Sequence, residues 1–144
     1  MRQAVEETNS VCAREGIETP LIIGVTVLTS SNESTLLETG INGPVNERVA
    51  HLAHLSFDCG LDGVVASPLE VGAVRQAVPD RSFLTVTPGI RPKHATTDDQ
   101  QRVTSFREAI ANGSDYVVIG RPIVQSQNRS AAVQQMINEV TTNK

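Results

Sequence analysis

Leu21-Ile22-Ile23-Gly24-Val25-Thr26-Val27-Leu28 is the run on which the fold turns. A strand with one wet face alternates apolar and polar residues. This run is β-branched and apolar on both faces, the pattern of a strand buried from two sides. Three shorter runs of the same character follow: Gly63-Val64-Val65-Ala66, Phe83-Leu84-Thr85-Val86-Thr87 and Tyr116-Val117-Val118-Ile119-Gly120. Each is expected to be a central strand of a parallel sheet.

Helical patterns fill the intervals. Asn46 to Asp58 places Val49, Leu52, Ala53 and Leu55 at helical spacing and stops at Cys59-Gly60. Pro68 to Val78 has Ser67 as its expected N-cap, Pro68 at the first helical position and Glu70 in the first turn. Thr104 to Asn112 starts from a capping Thr and ends at Gly113. Ser130 to Val140 sets Val133, Met136, Ile137 and Val140 on one face, and Arg2 to Arg14 precedes the first strand as a further helix.

The order is α-β-α-β-α-β-α-β-α, an α/β fold with right-handed crossovers. Two architectures fit it. One is a free-standing doubly wound, flavodoxin-like sheet; the other is half of a (β/α)8 barrel, since about 250 residues for eight units predicts about 125 for four. In both, ligands bind at the carboxyl ends of the strands, so the segments after the four runs converge on one face.

Composition bounds the reading. With 144 residues, 39% hydrophobic and 19% charged, positions 1–144 read as a single globular unit rather than a disordered or fibrous chain. No stretch approaches the roughly 18 consecutive apolar residues of a membrane helix, and the first twenty residues carry acids where a signal peptide needs an apolar run, so the expected compartment is the cytoplasm. Cys12 and Cys59 have neither metal-ligand nor framework spacing, and no metal site is expected. The net charge is −4 with scattered bases, which argues against nucleic acid but leaves small anions open.

Gly120-Arg121, at the end of the last strand, is the best phosphate candidate: glycine lets the backbone approach an anion, and the Arg fork binds two oxygens at once. The bland alternative is a tight turn with a solvated Arg. Arg91 sits in Pro88-Gly89-Ile90-Arg91-Pro92, a stiff turn at the end of the third strand. In a barrel the loops after the last two strands are the usual phosphate clamp. Arg121 is expected to contribute more than Arg91, because Arg91 opens the long polar segment Pro92 to Arg102, which reads as either a solvated connector or a mobile lid. His94 falls in that segment. His51 and His54 lie three apart on a helix with no third ligand, so a helix surface or partner contact is expected there. Lys93 and Lys144 are the only lysines, so a catalytic lysine flanked by carboxylates cannot be assembled from this chain. There is no GxGxxG, GxxxxGK[ST], HExxH or GxSxG.

Leu21 to Ser30, Cys59 to Ser67, Val86 to Pro92 with Asp99-Gln100 following, and Asp115 to Ile123 resemble, in order and spacing, the C-terminal half of bacterial orotidine 5'-phosphate decarboxylase. The resemblance implies strands five to eight of a (β/α)8 barrel. It also implies an enzyme that converts orotidine 5'-monophosphate to UMP and CO2 without metal or organic cofactor, as a homodimer with sites at the subunit interface. By the same resemblance Thr29 is the binding position after strand five, beside the pyrimidine. Arg91 and Gln100 are phosphate-loop residues after strand seven, and Gly120 with Arg121 the phosphate-binding pair after strand eight. The family's Asp-x-Lys-x-x-Asp array is absent from these 144 residues. The chain therefore reads as a truncated enzyme with no catalytic residues of its own, inactive alone, with an open edge at its first strand that another copy or the missing N-terminal half would cover.

Overall fold

The computed structural model describes residues 1–91 and 104–141. Among them, α1 (Arg2–Glu15) precedes β1 (Ile23–Val25), and α2 (Glu33–Glu38) and α3 (Val45–Asp58) lead to β2 (Gly63–Val65). Then α4 (Val71–Ala77) precedes β3 (Leu84–Thr87), α5 (Phe106–Ala111) precedes β4 (Tyr116–Val117), and α6 (Arg121–Val124) and α7 (Arg129–Thr141) close the chain. No helix among the described residues is long and apolar enough to cross a membrane.

The four strands are parallel and stand in the order β1-β2-β3-β4. That order decides between the two architectures. A doubly wound sheet reverses its strand order at a switch point, whereas a barrel winds in one direction with every crossover helix on the same face. The chain winds in one direction. The helical face holds the core, in which Val49 and Ala53 of α3 and Val74 of α4 meet Val64 of β2, with Phe83 set edge-on to Phe57 at 5.5 Å.

The expectation of four central strands is corrected at the margins. β1 and β4 are edges, and Val25 and Tyr116 are 61% and 55% exposed. Among the described residues neither has a neighbour on its outer side, and the runs 21–28 and 116–120 keep ladder geometry over 23–25 and 116–117.

The starts of α4 and α5 also differ, and α2 was not expected. α4 begins at Val71, not Pro68, because Ser67 to Glu70 form a turn closed by the Glu70 N–H on the Ser67 carbonyl at 3.0 Å. The Pro68 carbonyl is taken by the Asn112 side-chain amide at 3.1 Å instead of a helical N–H. α5 is capped by Ser105, not Thr104: Ser105 Oγ accepts from the Glu108 N–H and Glu108 bonds back to the Ser105 N–H, a complete capping box. α2 lies in a stretch that carried no helical expectation. Asn32 caps it, accepting from the Thr35 N–H at 3.0 Å.

A second feature ties strands at their amino ends. Gly60-Leu61-Asp62-Gly63-Val64-Val65 and Gly113-Ser114-Asp115-Tyr116-Val117-Val118 share the pattern Gly-x-Asp-x-Val-Val, with both glycines at positive φ after a helix. Asp62 Oδ2 accepts the Ile22 N–H at 2.6 Å, and Asp115 Oδ2 accepts the Thr85 N–H at 2.6 Å and the Thr85 hydroxyl at 2.9 Å. In each case the carboxylate at the start of one strand holds the start of the strand before it.

Candidate nucleotide phosphate site

Register sets the site. Val25 pairs with Val65, Val65 with Val86 and Val86 with Tyr116, so one row crosses the sheet and the segments beyond it form a single rim at the carboxyl ends. Thr29 follows β1, Ser67 follows β2, Arg91 follows β3, and Gly120 with Arg121 follows β4.

Thr29 is buried and lines a cavity of about 230 Å³ together with Val25, Ser30, Val65, Ala66 and Pro88. Its walls are mostly apolar with a few hydroxyl groups, a surface suited to the flat face of a ring. Neither Arg91 nor Arg121 lines this cavity, so the base-side and phosphate-side candidates are separate along the rim.

Arg91 is only 7% exposed. Its N–H donates to the Thr104 carbonyl at 2.9 Å, and Nη1 donates to the Ile90 carbonyl at 2.8 Å. Gly89 supplies the positive φ of 84° that turns the chain after Pro88, and Ile90 forms a parallel bridge with Thr104. The Pro-Gly turn thus holds Arg91 in place already, which removes the reason for ranking it below Arg121 on ordering cost. Gln100, Lys93, His94 and the 92–102 segment lie outside the described residues.

Gly120 caps α6, its carbonyl accepting the Ile123 and Val124 N–H groups at 3.0 Å. A Cβ at this position would meet no atom within 4 Å, so no contact of the fold calls for glycine there. Arg121 opens α6, half-buried beside the exposed glycine, and the Gly120-Arg121 pair is therefore a strand-to-helix junction rather than a simple tight turn.

The sequence reading placed the polar strand-end residues on the rim but not their burial. Ser67 is fully buried, its Oγ accepting the Leu69 N–H at 3.3 Å, and Glu70 and Thr104 are buried nearby in sequence to the rim segments. His51 and His54 are exposed on α3, with His54 Nδ1 3.0 Å from Asp58 Oδ2. Among the described residues no three His, Cys, Asp or Glu side chains come together as a metal site requires.

Residues 1–136 match the sequence pattern of the orotidine 5'-phosphate decarboxylase / HUMPS family. The chain is 54% identical over 121 residues to an orotidine 5'-phosphate decarboxylase of Syntrophotalea carbinolica, covering 84% of this chain and 49% of that protein. It is 46% identical over 140 residues to that of Pelobacter propionicus, covering 96% and 58%. Among solved structures, orotidine 5'-phosphate decarboxylase from Lactobacillus acidophilus superposes with a TM-score of 0.70 at 35% identity, over 88% of this chain and 51% of that one. The chain spans about half the length of the curated relatives it matches. Its four consecutive strands wind as half of a (β/α)8 barrel, and the chain belongs to the orotidine 5'-phosphate decarboxylase / HUMPS family.

Proposed function

We propose that the 144 residues act as one unit that supplies the phosphate-binding and part of the base-binding wall of an orotidine 5'-phosphate decarboxylase site. Thr29 contacts the pyrimidine side. Arg91, Gln100, Gly120 and Arg121 hold the 5'-phosphate of orotidine 5'-monophosphate or UMP. The observation that carries this reading is the common rim: a mostly apolar cavity bearing Thr29 and two arginines at the ends of successive strands, one of them beside a glycine that packing does not require.

Decarboxylation breaks the C6–carboxylate bond, releases CO2 and delivers a proton to C6. The family resemblance assigns that proton to the lysine of Asp-x-Lys-x-x-Asp, a motif this chain lacks. The chain by itself is therefore a binder without the charges that stabilise the transition state. The chemical half comes from the complementary N-terminal half-barrel, and the complete barrels pair as a homodimer. The test is calorimetric titration of UMP and of uridine into the chain supplied with that half. UMP binding much tighter than uridine binding supports the phosphate assignment. Equal affinity, or enzyme-like turnover by the 144-residue chain alone, overturns the reading.

A further inference from the structure

The chain contains two Asn-Gly pairs, Asn42-Gly43 and Asn112-Gly113. The side-chain amide carbon of an asparagine is an electrophile within reach of the next residue's main-chain nitrogen, and a glycine, with no Cβ, leaves that nitrogen open to attack it. The same dipeptide twice carries the same intrinsic chemistry, so the fold decides which pair can use it.

The two pairs are held very differently. Asn112 is the C-cap of α5, and its side-chain amide donates to the Pro68 carbonyl at 3.1 Å. The Gly113 N–H, which would have to attack, donates to the Ile110 carbonyl at 3.0 Å. Both reacting groups are therefore engaged, and reaction there first requires a local opening. Asn42 and Gly43 lie between α2 and α3, in the connection that leaves β1 past Thr29. Both are exposed and outside any helix or strand. Among the described residues neither the Asn42 side chain nor the Gly43 N–H makes a hydrogen bond. Gly43 has a φ of 106°, and beyond its chain neighbours the nearest atom to where a Cβ would stand, Glu47 Oε2, is 4.0 Å away. The peptide is open to solvent and to its neighbour.

We propose that Asn42 is a site of spontaneous deamidation, and that Asn112 is spared while the chain is folded. The Gly43 nitrogen gives up its proton and bonds to the Asn42 Cγ. The Cγ–Nδ2 bond breaks, and Nδ2 leaves as ammonia carrying that proton, which closes a succinimide ring. Water, the one co-reactant, opens the ring at either carbonyl to give aspartate or isoaspartate, with nothing oxidised or reduced. Either product sets a new carboxylate in the groove that Glu33 lines, and isoaspartate also lengthens the main chain between α2 and α3. The proposal rests on the two loop geometries and not on the nucleotide reading, and either can fail without the other.

The test incubates the 144-residue chain at mildly alkaline pH, folded and, in parallel, unfolded in guanidinium chloride. Peptide mass mapping with fragmentation that separates aspartate from isoaspartate follows both pairs, and each site is compared with its own rate in the unfolded chain. In the folded chain Asn42 is expected to convert near its unfolded rate, with isoaspartate the larger share. Asn112 is expected to fall about tenfold or more below its unfolded rate, because two hydrogen bonds must open before attack. A more acidic species is expected on ion exchange at the pace of Asn42 conversion. Asn42→Gln, whose longer side chain closes a ring far less readily, is expected to remove that species and leave the circular dichroism unchanged. An Asn42 amide protected in the folded chain as strongly as Asn112, an Asn112 that converts at its unfolded rate, or an acidic species that persists in Asn42→Gln overturns the proposal.

Discussion

Replacing Asp115 tests the strand clamp, the part of the fold that holds the last two strands in register. Its Oδ2 accepts the Thr85 N–H at 2.6 Å and the Thr85 hydroxyl at 2.9 Å and forms an ion pair with Arg75, while the Asp115 N–H donates back to Thr85 Oγ1 at 3.1 Å. Hydrogen bonds to a charged group contribute about 1.5–3 kcal/mol each, but they share one oxygen and are not additive. The carboxylate is also 31% exposed, so solvent screens the pair with Arg75. We therefore expect Asp115→Asn, which keeps an acceptor and loses the charge, to cost about 1–2 kcal/mol. Asp115→Ala, which also strands the Thr85 N–H and the largely buried Arg75, is expected to cost about 2–4 kcal/mol.

The pH dependence carries the sharper test. Burial pushes the Asp115 carboxyl up, but the Thr85 N–H, the Thr85 hydroxyl and the Arg75 charge together outweigh it and hold the group below its usual value. A carboxyl lowered in the folded state stabilises the fold above its unfolded pKa of about 3.9, and that contribution is lost as pH falls through the folded value. Urea denaturation at fixed protein concentration is thus expected to show a constant gap between the parent chain and Asp115→Asn from neutral pH down to about pH 5, closing below about pH 4. An Asp115→Asn variant as stable as the parent at neutral pH, or a gap that persists unchanged in acid, would refute the clamp.

Further outcomes follow from the same geometry. Gly63→Ala brings a Cβ within 2.3 Å of the Leu84 carbonyl oxygen and is expected to cost about 1–3 kcal/mol or more in urea unfolding. Gly72→Ala, on an open face of α4, is expected to stabilise by about 0.5–1 kcal/mol in the same assay. Ser105→Ala removes the capping box of α5 and is expected to cost about 0.5–2 kcal/mol by thermal or urea unfolding. With the N-terminal half supplied, Arg121→Ala and Arg91→Ala are each expected to weaken UMP by about 1.5–3 kcal/mol in calorimetry and to leave uridine unchanged.

The four strands and most of the helices are readable in the sequence because apolar β-branched runs and 3.6-residue spacing report burial directly. What escaped reading depends on partners distant along the chain. Pro68 looks like a helix start, but Asn112, forty-four positions away, takes its carbonyl. α2 is a six-residue helix too short to show a period, held by its Asn32 cap and by Leu36 in the core. The strand clamps were written in the sequence as a repeated Gly-x-Asp-x-Val-Val, yet an aspartate before a strand reads as an ordinary turn residue until the neighbouring strand is placed against it. At the rim, the places of Thr29, Arg91, Gly120 and Arg121 after their strands were readable, whereas the backbone bond from Arg91 to Thr104, which lies across the loop, was not.

The most direct measurement joins the N-terminal half of the Syntrophotalea carbinolica relative, where the family resemblance places the lysine motif, to this 144-residue chain and follows orotidine 5'-monophosphate by release of CO2. The account predicts that the joined barrel decarboxylates the substrate, and that Arg121→Ala raises KM far more than it lowers kcat. A joined protein that folds with native helical content and cooperative unfolding, yet neither binds UMP nor releases CO2, would contradict it.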